Sequence, residues 1–240
     1  MVQPPPLVTI CIDDTDRPGS RSTARLALSI LELLAPRYRC HTLTTHPHLP
    51  SPGLSWDSEG NSSACMRLVD QPGLDLDGLV HEIRCLLLED LMAGSNPGLC
   101  AGRQISPAVQ AFAERSRSEH LELEEAHELA TASGLLLEGL AGTGRGVIGA
   151  LAGAGMAAAG GPGTYLQLGG GPLDINGLIS PRKLSKLGIE HLVDAHSGEL
   201  LPLRPLWVER ALYPSMLDHR PVVYVQTTDS GSMAFVHQGR

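Results

Sequence analysis

The fold is set by LVTICIDDTD at residues 7–16, a short apolar run that ends in three carboxylates. Residues 7–12 are rich in β-branched side chains and lie between prolines and acids, which is typical of a buried strand. From Thr23 onward apolar residues recur at helical spacing until Pro36, and Ser22 or Thr23 is available as the N-cap. The chain therefore opens as strand, acidic loop and helix.

The rest of the sequence alternates strand and helix patterns and then becomes strand-rich. We predict strands at 40–45, 63–69 and 164–168, and helices at 76–92, 106–117, 123–133 and 147–158. Beyond them we predict a helix at 181–186, a hairpin turn at 196–199, and paired strands at 221–227 and 233–236 around a turn at 229–231. The fold class is α/β, a mixed sheet with helices on one or both faces. We expect one domain at 1–170 and a strand-rich extension at 171–240 packed on it.

Composition and charge exclude some classes of function. Hydrophobic residues make up 42% and charged residues 18%, as in globular proteins, while aromatic residues make up only 3%. The net charge of −8 gives no general attraction to a polyanion, so a nucleic-acid substrate is disfavoured. The five cysteines form no CxxC pair and are predicted to be reduced thiols in a core. Residues 1–6 lack the features of a secretory signal, and no apolar run reaches the roughly 20 residues of a membrane span, so we expect a cytoplasmic protein.

The acidic run concentrates three carboxylates, Asp13, Asp14 and Asp16, within four residues. Their mutual repulsion costs free energy unless a cation or a helix N-terminus offsets it. Because alternate residues of an extended segment face the same way, Asp14 and Asp16 could share a Mg²⁺ ion while Asp13 faces another donor. A solvated turn that caps the next helix is an equally good interpretation, and the run alone does not separate the two.

A second chemical motif is GTGRGVIG at residues 142–149, a glycine loop that leads into the predicted small-residue helix. Free amides and the helix dipole at such a loop favour phosphate binding, and Arg145 adds a forked cation. Gly144, Gly146 and Gly149 also match the GxGxxG of dinucleotide-binding enzymes, but no acidic residue follows before Asp174. Close helix packing explains the Gly and Ala residues at 150–159 but not Arg145.

Two asparagines accompany tight turns. Asn61 follows Gly60, and Asn96 opens the NPG turn at 96–98. Each offers an amide side chain that suits a nucleotide or a phosphate, although turn chemistry alone explains each of them.

Taken in order, these pieces resemble the N-terminal catalytic region of the archaeal agmatinylcytidine synthetase family, which modifies an isoleucine tRNA. The family pattern is an IDDTD run with a following Gly and Ser/Thr pair, a GN loop, an NPG turn and a GRGxIGALA helix start. The corresponding pieces here are IDDTD at 12–16, Gly19 with Ser22 and Thr23, GN at 60–61, NPG at 96–98 and GRGVIGALA at 144–152. The resemblance spans residues 7–170.

The resemblance implies a kinase-like domain that splits ATP with Mg²⁺ and phosphorylates both a cytidine base and a threonine of its own. It places Thr23 at that threonine and implies that the aspartates hold Mg²⁺ and the phosphates. The implied catalytic residues are Asp14, Asp16, Thr23 and Arg145; the implied nucleotide contacts are Asn61, Asn96, Gly144, Arg145 and Gly146; the implied metal ligands are Asp13, Asp14 and Asp16. Phosphoryl transfer depends mainly on positioning and charge neutralisation, which such a set of residues can supply.

The sequence also departs from the family pattern. Before its GN the family has Lys and Arg, whereas this chain has Asp57-Ser58-Glu59, which reverses the local charge. The family continues into an oligonucleotide-binding barrel and a zinc ribbon, whereas this chain has no CxxC pair, so we expect no tRNA modification by the chain alone. With Lys183 and Lys186 as the only lysines, phosphate binding depends on them or on arginine.

Our leading hypothesis is a stand-alone ATP- and Mg²⁺-binding phosphotransferase-like protein related to tRNA modification enzymes. It would act on an unknown small molecule or protein partner and would have no membrane partner, and a homodimer is compatible with the sequence. The alternative suggested by Asp57 and Glu59 is a non-catalytic ligand-binding or scaffold protein of the same fold. A weaker alternative is a dinucleotide-dependent enzyme based on the GxGxxG match.

Overall fold

The computed structural model describes residues 5–17, 20–48, 61–169, 171–227 and 233–235. Tertiary contacts divide the chain into two compact units, Met1–Ala159 and Gly160–Arg240. Both contain helices and strands, which confirms the α/β class and the strand-rich C-terminal region. The functional division into a kinase-like domain at 1–170 and an extension at 171–240 stays a prediction.

The first unit is built around an antiparallel sheet. Its elements are β1 (Leu7–Asp13), α1 (Thr23–Leu34), β2 (Cys40–Pro47), β3 (Ser62–Val69), α2 (Leu76–Glu89), β4 (Gly98–Gly102), α3 (Pro107–Arg115), α4 (Leu123–Ala132), β5 (Leu136–Gly139) and α5 (Gly146–Ala159). The strands pair in the order β5-β4-β1-β3-β2, and each of these pairings is antiparallel. The strand that opens the sequence is therefore central in this sheet.

Side chains of β1 alternate between two cores, one on each face of the sheet. Cys11 belongs to a buried cluster with Cys65, Cys100 and the apolar residues of α3, α4 and α5. The intervening residues Val8 and Ile10 point to the opposite face, where α1 packs on β3 and α2 packs on β4. Burial on both faces explains why β1 is a continuous apolar run and not an alternating one.

Glycine allows α5 to lie close to its neighbours on two sides. A Cβ on Gly155 would stand 2.5 Å from the Val109 carbonyl oxygen and 2.6 Å from the Ala113 Cβ in α3. On the sheet side, a Cβ on Gly153 would stand 2.9 Å from the Ser63 Cβ and would clash with its Oγ. The small residues of α5 are thus a packing interface. Neither α5 nor any other helix in the described parts of the chain is long and apolar enough to cross a bilayer.

The second unit has its own core and short strands. Its elements are β6 (Gly163–Leu168), β7 (Gly171–Pro172), β8 (Gly177–Ile179), α6 (Pro181–Lys186), β9 (Leu192–Asp194), β10 (Leu200–Leu201), β11 (Leu206–Val208), β12 (Ser215–Leu217), β13 (Arg220–Thr227) and β14 (Met233–Phe235). The predicted helix at 181–186 is confirmed, and β13 pairs with β14 as predicted. The predicted turn at 229–231 and residue 236 lie outside the described residues. Leu184 of α6 packs with Leu206 and Val223 in the core of this unit.

The sequence pattern did not predict β4 or β5, although both belong to the sheet of the first unit. β4 is GLCAG, with two glycines and no β-branched residue, and β5 has only four residues. Neither shows a periodicity that distinguishes a strand. They are strands because β4 pairs with β1 and β5 pairs with β4.

The five cysteines are all free thiols, as predicted. Cys11, Cys65 and Cys100 are buried, Cys40 is half-buried and Cys85 is exposed, so the expectation of a core position is wrong for Cys85. Burial raises the pKa of the Cys40 thiol to about 12 and raises the pKa of the Cys11 and Cys100 thiols as well. These three thiols are therefore protonated near neutral pH and are poor nucleophiles.

The packing of α5 on α3 predicts that Gly155→Ala destabilises the fold. Alanine gains about 1 kcal/mol of helix propensity, but its methyl group would meet the Val109 carbonyl and the Ala113 Cβ, which cannot move without shifting α3. Overpacking of this kind costs about 1–3 kcal/mol, so we expect a net loss of about 1 kcal/mol in the free energy of unfolding measured in urea. Gly78→Ala in α2 is the control for helix propensity, since the atoms nearest to its Cβ belong to the side chain of the N-cap Asp75, which can rotate away as no α3 atom can. An unchanged stability of Gly155→Ala would contradict this packing.

Candidate functional site

Strand register brings the predicted site segments to one edge of the sheet in the first unit. Asp13 at the end of β1 pairs with Gly98 at the start of β4. Gly98 in turn pairs with Gly139 at the end of β5, which precedes the glycine loop. Ile12 pairs with Ala64, so the start of β3 lies at the same edge. The acidic loop, the NPG turn and the glycine loop therefore meet here.

Asn96 connects the acidic loop to the glycine loop through its side chain. Its Nδ2 donates a hydrogen bond to Asp14 Oδ2 at 2.9 Å. Its Oδ1 accepts two hydrogen bonds from Thr143, one from the backbone amide and one from Oγ1, both at 2.9 Å. The Asn96 backbone repeats the connection, because its amide donates to the Asp14 carbonyl at 3.2 Å and its carbonyl accepts from the Gly146 amide at 3.1 Å. One residue thus holds three predicted pieces together.

Asp14 is held in a strained conformation that fixes its carboxylate. Its φ of 50° lies in the left-handed region, which is uncommon for a residue other than glycine. Asn96 binds one carboxylate oxygen, and Arg17 Nη1 donates to the other at 2.8 Å. Strain of this kind persists only where surrounding contacts determine the backbone, and it often marks functional sites.

Asp13 lies beneath the first turn of α5. Its side chain is 6% exposed, and a Cβ on Gly149 would clash with its carboxylate, so the helix glycine makes room for it. Burial, and secondarily the charge of Asp14, raises the pKa of Asp13 to about 8. The positive end of α5 partly offsets the cost of ionising this carboxyl group.

Thr23 and Asp16 are joined by hydrogen bonds between hydroxyl and carboxylate groups. Thr15 Oγ1 donates to Thr23 Oγ1 at 2.9 Å, and Thr23 Oγ1 donates to Asp16 Oδ1 at 3.3 Å. Thr23 is 4% exposed and is the first residue of α1, while Ser22 is the N-cap that accepts from the Arg25 amide. The Thr23 hydroxyl is therefore orientated toward a carboxylate but buried in this conformation.

The glycine loop needs glycine for two reasons. Gly142 and Gly144 have left-handed φ values of 62° and 73°. A Cβ on Gly142 would also clash with Asn96 Oδ1, whereas a Cβ on Gly144 would meet nothing. Gly146 is close to β4, because its Cβ would lie 2.6 Å from the Gly98 amide nitrogen. The glycines therefore allow the loop to lie in close contact with Asn96 and β4.

The amides that open α5 are already paired in this conformation. The amides of Gly146, Val147 and Ile148 donate to the carbonyls of Asn96, Gly144 and Arg145, respectively. This differs from the sequence-based expectation of free amides. The Arg145 side chain is exposed, and its guanidinium has no partner among the described residues. The cation at this loop that can meet an anion is thus Arg145.

Asn61 lies at the same edge, immediately before β3, and its carbonyl accepts from the His48 amide at 2.9 Å. The structure does not bring its side chain into the network around Asn96 by any described hydrogen bond. Gly19, Gly60 and the segment Asp57-Ser58-Glu59 lie outside the described residues. The predicted role of Asn61 in nucleotide binding stays a prediction.

The carboxylates of the acidic loop would bind Mg²⁺ only together with further ligands, such as phosphate oxygens and water. Among residues 5–17, 20–48, 61–169, 171–227 and 233–235, no group of three or more His, Cys, Asp or Glu side chains could hold a metal ion. Mg²⁺ in nucleotide sites, however, is usually held by one or two carboxylates together with substrate phosphates and water. Asp14 and Asp16 offer oxygen ligands of this type, whereas the Asp13 carboxylate faces α5. The assignment of Asp13, Asp14 and Asp16 as Mg²⁺ ligands stays a prediction, and the position of Asp13 against α5 argues against its share in it.

The GxGxxG match lacks the structural context of a dinucleotide site. That fingerprint requires a parallel βαβ unit, whereas β5 and its neighbours pair antiparallel. The third glycine of the match, Gly149, accommodates Asp13. The topology gives no support to the dinucleotide alternative.

Three contact residues at this edge were not singled out from the sequence. Thr143 pairs with Asn96, Thr15 pairs with Thr23, and Arg17 pairs with Asp14. The position of Arg17 directly after three acids was a usable signal, since an adjacent arginine often neutralises a carboxylate. A separate cleft of about 380 Å³ lies at the opposite edge of the sheet, where Val80, Arg103 and Leu136 line it, and it contains no predicted site residue.

No protein-family model matches the chain, and no curated protein matches it. Solved structures do match. They include a tRNA fluorescent labeling enzyme and apo TiaS, a tRNA agmatidine synthetase, each 24% identical with a TM-score of 0.54, and a complex of TiaS with its tRNA and ATP, 25% identical with a TM-score of 0.54. Each match covers 62% of this chain but only 35% or 36% of the solved chain. The chain thus shares a fold with about a third of the length of these proteins.

The bridge made by Asn96 predicts a measurable loss of stability on its removal. Asn96→Ala deletes three side-chain hydrogen bonds and leaves Asp14 and Thr143 without those partners. We expect the free energy of unfolding to fall by about 2–3 kcal/mol, measured by urea denaturation. Gln104→Ala is the control, because this exposed amide side chain has no partner among the described residues. An equal effect of the two substitutions would contradict the bridge.

The buried Asp13 predicts a pH-dependent contribution to stability. Its pKa is about 8 in the folded chain against an ordinary 3.8, so the stability due to its protonated form is full below about pH 4 and is lost as pH rises to about 8. Relative to Asp13→Asn, the wild type should lose a few kcal/mol in free energy of unfolding between about pH 5 and pH 8.5.

Burial lowers the pKa of His48 to about 3, so His48 contributes to stability with the opposite pH dependence. Because Asp13→Asn retains His48, this contribution cancels when the two proteins are compared. The stability that neutral His48 provides is present above pH 6.5 and is lost as pH falls toward 3. Glu128→Gln, on an exposed face of α4, is the control and should leave the profile unchanged. Parallel profiles of wild type and Asp13→Asn would contradict the buried, proton-binding carboxyl group.

Proposed function

We propose that the acidic loop, Asn96 and the glycine loop form a site for ATP with Mg²⁺ in a phosphotransferase-like protein. The observation that carries this proposal is the side chain of Asn96, which bonds to Asp14 of the acidic loop and to Thr143 of the glycine loop at once. The carboxylate-bearing loop thus bonds to Nδ2 of Asn96, and the loop that carries Arg145 bonds to its Oδ1. A metal-bound phosphate needs carboxylates that ligate the metal ion and a positively charged side chain that contacts the phosphate, at neighbouring positions.

Within this proposal each residue has a role that its surroundings allow. Asp14 and Asp16 would hold Mg²⁺, which when bound would neutralise phosphate charge at this edge. Arg145 would contact a phosphate through its exposed guanidinium, which is available for a bidentate contact. Asn96 keeps the two loops at a fixed spacing, and Asp13 braces the acidic loop against α5. Gly144 and Gly146 shape the loop that presents Arg145.

Thr23 is the candidate phosphoryl acceptor. Its hydroxyl donates to Asp16 Oδ1 at 3.3 Å, so Asp16 would accept the hydroxyl proton as Oγ1 bonded to the γ-phosphorus of ATP and ADP left with the bridging oxygen. Because Thr23 is 4% exposed, this role requires the acidic loop to open. In the closed conformation the hydrogen bond from Thr15 sets the orientation of the Thr23 hydroxyl.

The solved structures that share the fold support the choice of nucleotide. TiaS was crystallised with an isoleucine tRNA and ATP, and also with that tRNA, AMPCPP and agmatine. Carried to this chain, these complexes favour ATP as the nucleotide. Since the chain matches about a third of the length of TiaS, tRNA is not proposed as a partner of this chain alone. Besides Thr23 of the chain itself, the substrate that is phosphorylated is proposed to be a small molecule or a protein.

A non-catalytic ligand-binding protein of the same fold is a second candidate, and two observations favour it. Thr23 is buried, and the first amides of α5 are paired with carbonyls in place of an anion. Such a protein would bind a nucleotide through Arg145 and the acidic loop without transferring phosphate. Incubation with radiolabelled ATP would separate the two candidates, since a kinase-like protein should incorporate labelled phosphate that Thr23→Val abolishes, whereas a non-catalytic protein should incorporate none.

The proposal predicts that Arg145→Ala weakens binding of a non-hydrolysable ATP analogue without lowering stability. The guanidinium has no partner among the described residues, so its removal should leave the fold intact. Loss of one charged phosphate contact should raise the Kd about tenfold in calorimetry with Mg²⁺, about 1.4 kcal/mol.

Arg25→Ala is the matched control, because this exposed arginine of α1 also has a side chain without a described partner. It should bind the analogue like the wild type. If wild-type protein with Mg²⁺ does not bind the analogue, or if the two substitutions weaken binding of the analogue equally, the nucleotide site is not at this edge.

A further inference from the structure

Arg17 closes the acidic loop against the turn at residues 92–96. Its Nη1 donates to Asp14 Oδ1 at 2.8 Å and to the Asp16 carbonyl at 3.0 Å. Its Nη2 donates to the Gly94 carbonyl. One guanidinium therefore binds a carboxylate, its own loop and a neighbouring turn. The two carboxylate oxygens of Asp14 are consequently divided between Arg17 and Asn96.

This contact places a positive charge where a divalent cation would bind. A Mg²⁺ ion on Asp14 Oδ1 would lie about 2.0–2.1 Å from that oxygen, while Arg17 Nη1 lies 2.8 Å from it. Two cations at such distances from one oxygen repel each other strongly in a partly desolvated site. Arg17 in its present position therefore disfavours a divalent cation on Oδ1.

The surroundings of Arg17 allow its side chain to move while its backbone stays in place. Its side chain is 33% exposed. The backbone is fixed by a local turn, in which the Arg17 amide donates to Ser20 Oγ at 2.8 Å and the Ser20 amide donates to the Arg17 carbonyl at 2.9 Å. The guanidinium makes its contacts with Asp14, Asp16 and Gly94 through the side chain alone. A change of its rotamer would break these contacts but leave the two backbone hydrogen bonds of the turn in place.

We infer that Arg17 is an internal counter-ion that occupies the cation position at Asp14 until nucleotide arrives, and that it then transfers to a phosphate. In the ligand-free chain it neutralises Asp14 and disfavours a divalent cation alone. When Mg²⁺ and nucleotide bind together, the cation takes Asp14 and the guanidinium gains a phosphate oxygen as its new partner. This inference rests on the proposed nucleotide site and adds an order of events to it.

The consequence is positive coupling between cation and nucleotide. Arg17 lowers affinity for the cation when it is alone, and it raises affinity for the nucleotide once the cation is present. Such coupling is reciprocal by thermodynamic linkage. It would keep the site from filling with a free divalent cation and make the metal–nucleotide complex the preferred ligand.

The test consists of two titrations of the full chain. The first uses Mn²⁺ alone, with the free ion measured by electron paramagnetic resonance. The second uses a non-hydrolysable ATP analogue in the presence of Mn²⁺. Arg17→Gln should bind Mn²⁺ alone roughly tenfold more tightly than the wild type, since the competing charge is gone. The same variant should bind the analogue roughly tenfold more weakly, since a phosphate contact is lost. Opposite signs in the two titrations are the signature of an exchanged counter-ion.

Two further variants control for charge and for folding. Arg25→Gln removes the same charge from an exposed position on α1 and should change neither titration. Arg17→Lys keeps the charge but loses the fork that spans Asp14, the Asp16 carbonyl and Gly94, so it should remain close to the wild type with Mn²⁺ alone and bind the analogue more weakly. Circular dichroism and thermal unfolding identify any variant that does not fold; if Arg17→Gln does not, Arg17→Met, which also removes the charge, takes its place in both titrations.

The outcomes separate this inference from the function on which it rests. If the wild type binds the analogue but Arg17→Gln shows equal Mn²⁺ affinity, the counter-ion role is wrong and the nucleotide site stands. If Arg17→Gln weakens both titrations, Arg17 is a structural support of the loop and the inference is overturned. If no protein binds Mn²⁺ or the analogue, both the site and the counter-ion role fail.

Discussion

The hydrogen bonds of the Asn96 side chain determine how the candidate site is assembled. Its Nδ2 donates to Asp14 and its Oδ1 accepts from Thr143, so the carboxamide fixes the distance between a loop that follows β1 and a loop that precedes α5. These loops are far apart in sequence and become neighbours because β1, β4 and β5 pair in register. An amide side chain is suited to this position, since it offers a donor to a carboxylate and an acceptor to a hydroxyl at the same time.

Small residues in α5 make this arrangement sterically feasible. Gly149 leaves room for the Asp13 carboxylate, Gly153 for Ser63, and Gly155 for α3. The same helix therefore covers the sheet, joins the core of α3 and α4, and begins at the loop that carries Arg145. Packing and site geometry are consequently coupled: a larger residue at Gly149 would displace a carboxyl group of the acidic loop as well as strain the core.

The parts of the fold and of the candidate site that have a local cause could be predicted from the sequence. The apolar run of β1, the Ser22 cap and the glycine loop at the start of α5 have local causes, and the structure contains each of them. What could not be read depends on tertiary pairing. β4 is a strand because of its partners, and the pairing of the Gly146 amide at the start of α5 follows from the approach of Asn96. The burial of Thr23 and the contact of Arg17 with Asp14 also depend on three-dimensional context.

If the acidic loop and Arg145 receive the phosphates of one metal-bound nucleotide, a crystal structure of the chain with a non-hydrolysable ATP analogue and Mg²⁺ should show both contacts. We expect the cation on Asp14 or Asp16, a phosphate oxygen within hydrogen-bond distance of the Arg145 guanidinium, and Asn96 still bonded to Asp14 and Thr143. A nucleotide bound elsewhere, with this edge of the sheet unchanged, would contradict this expectation.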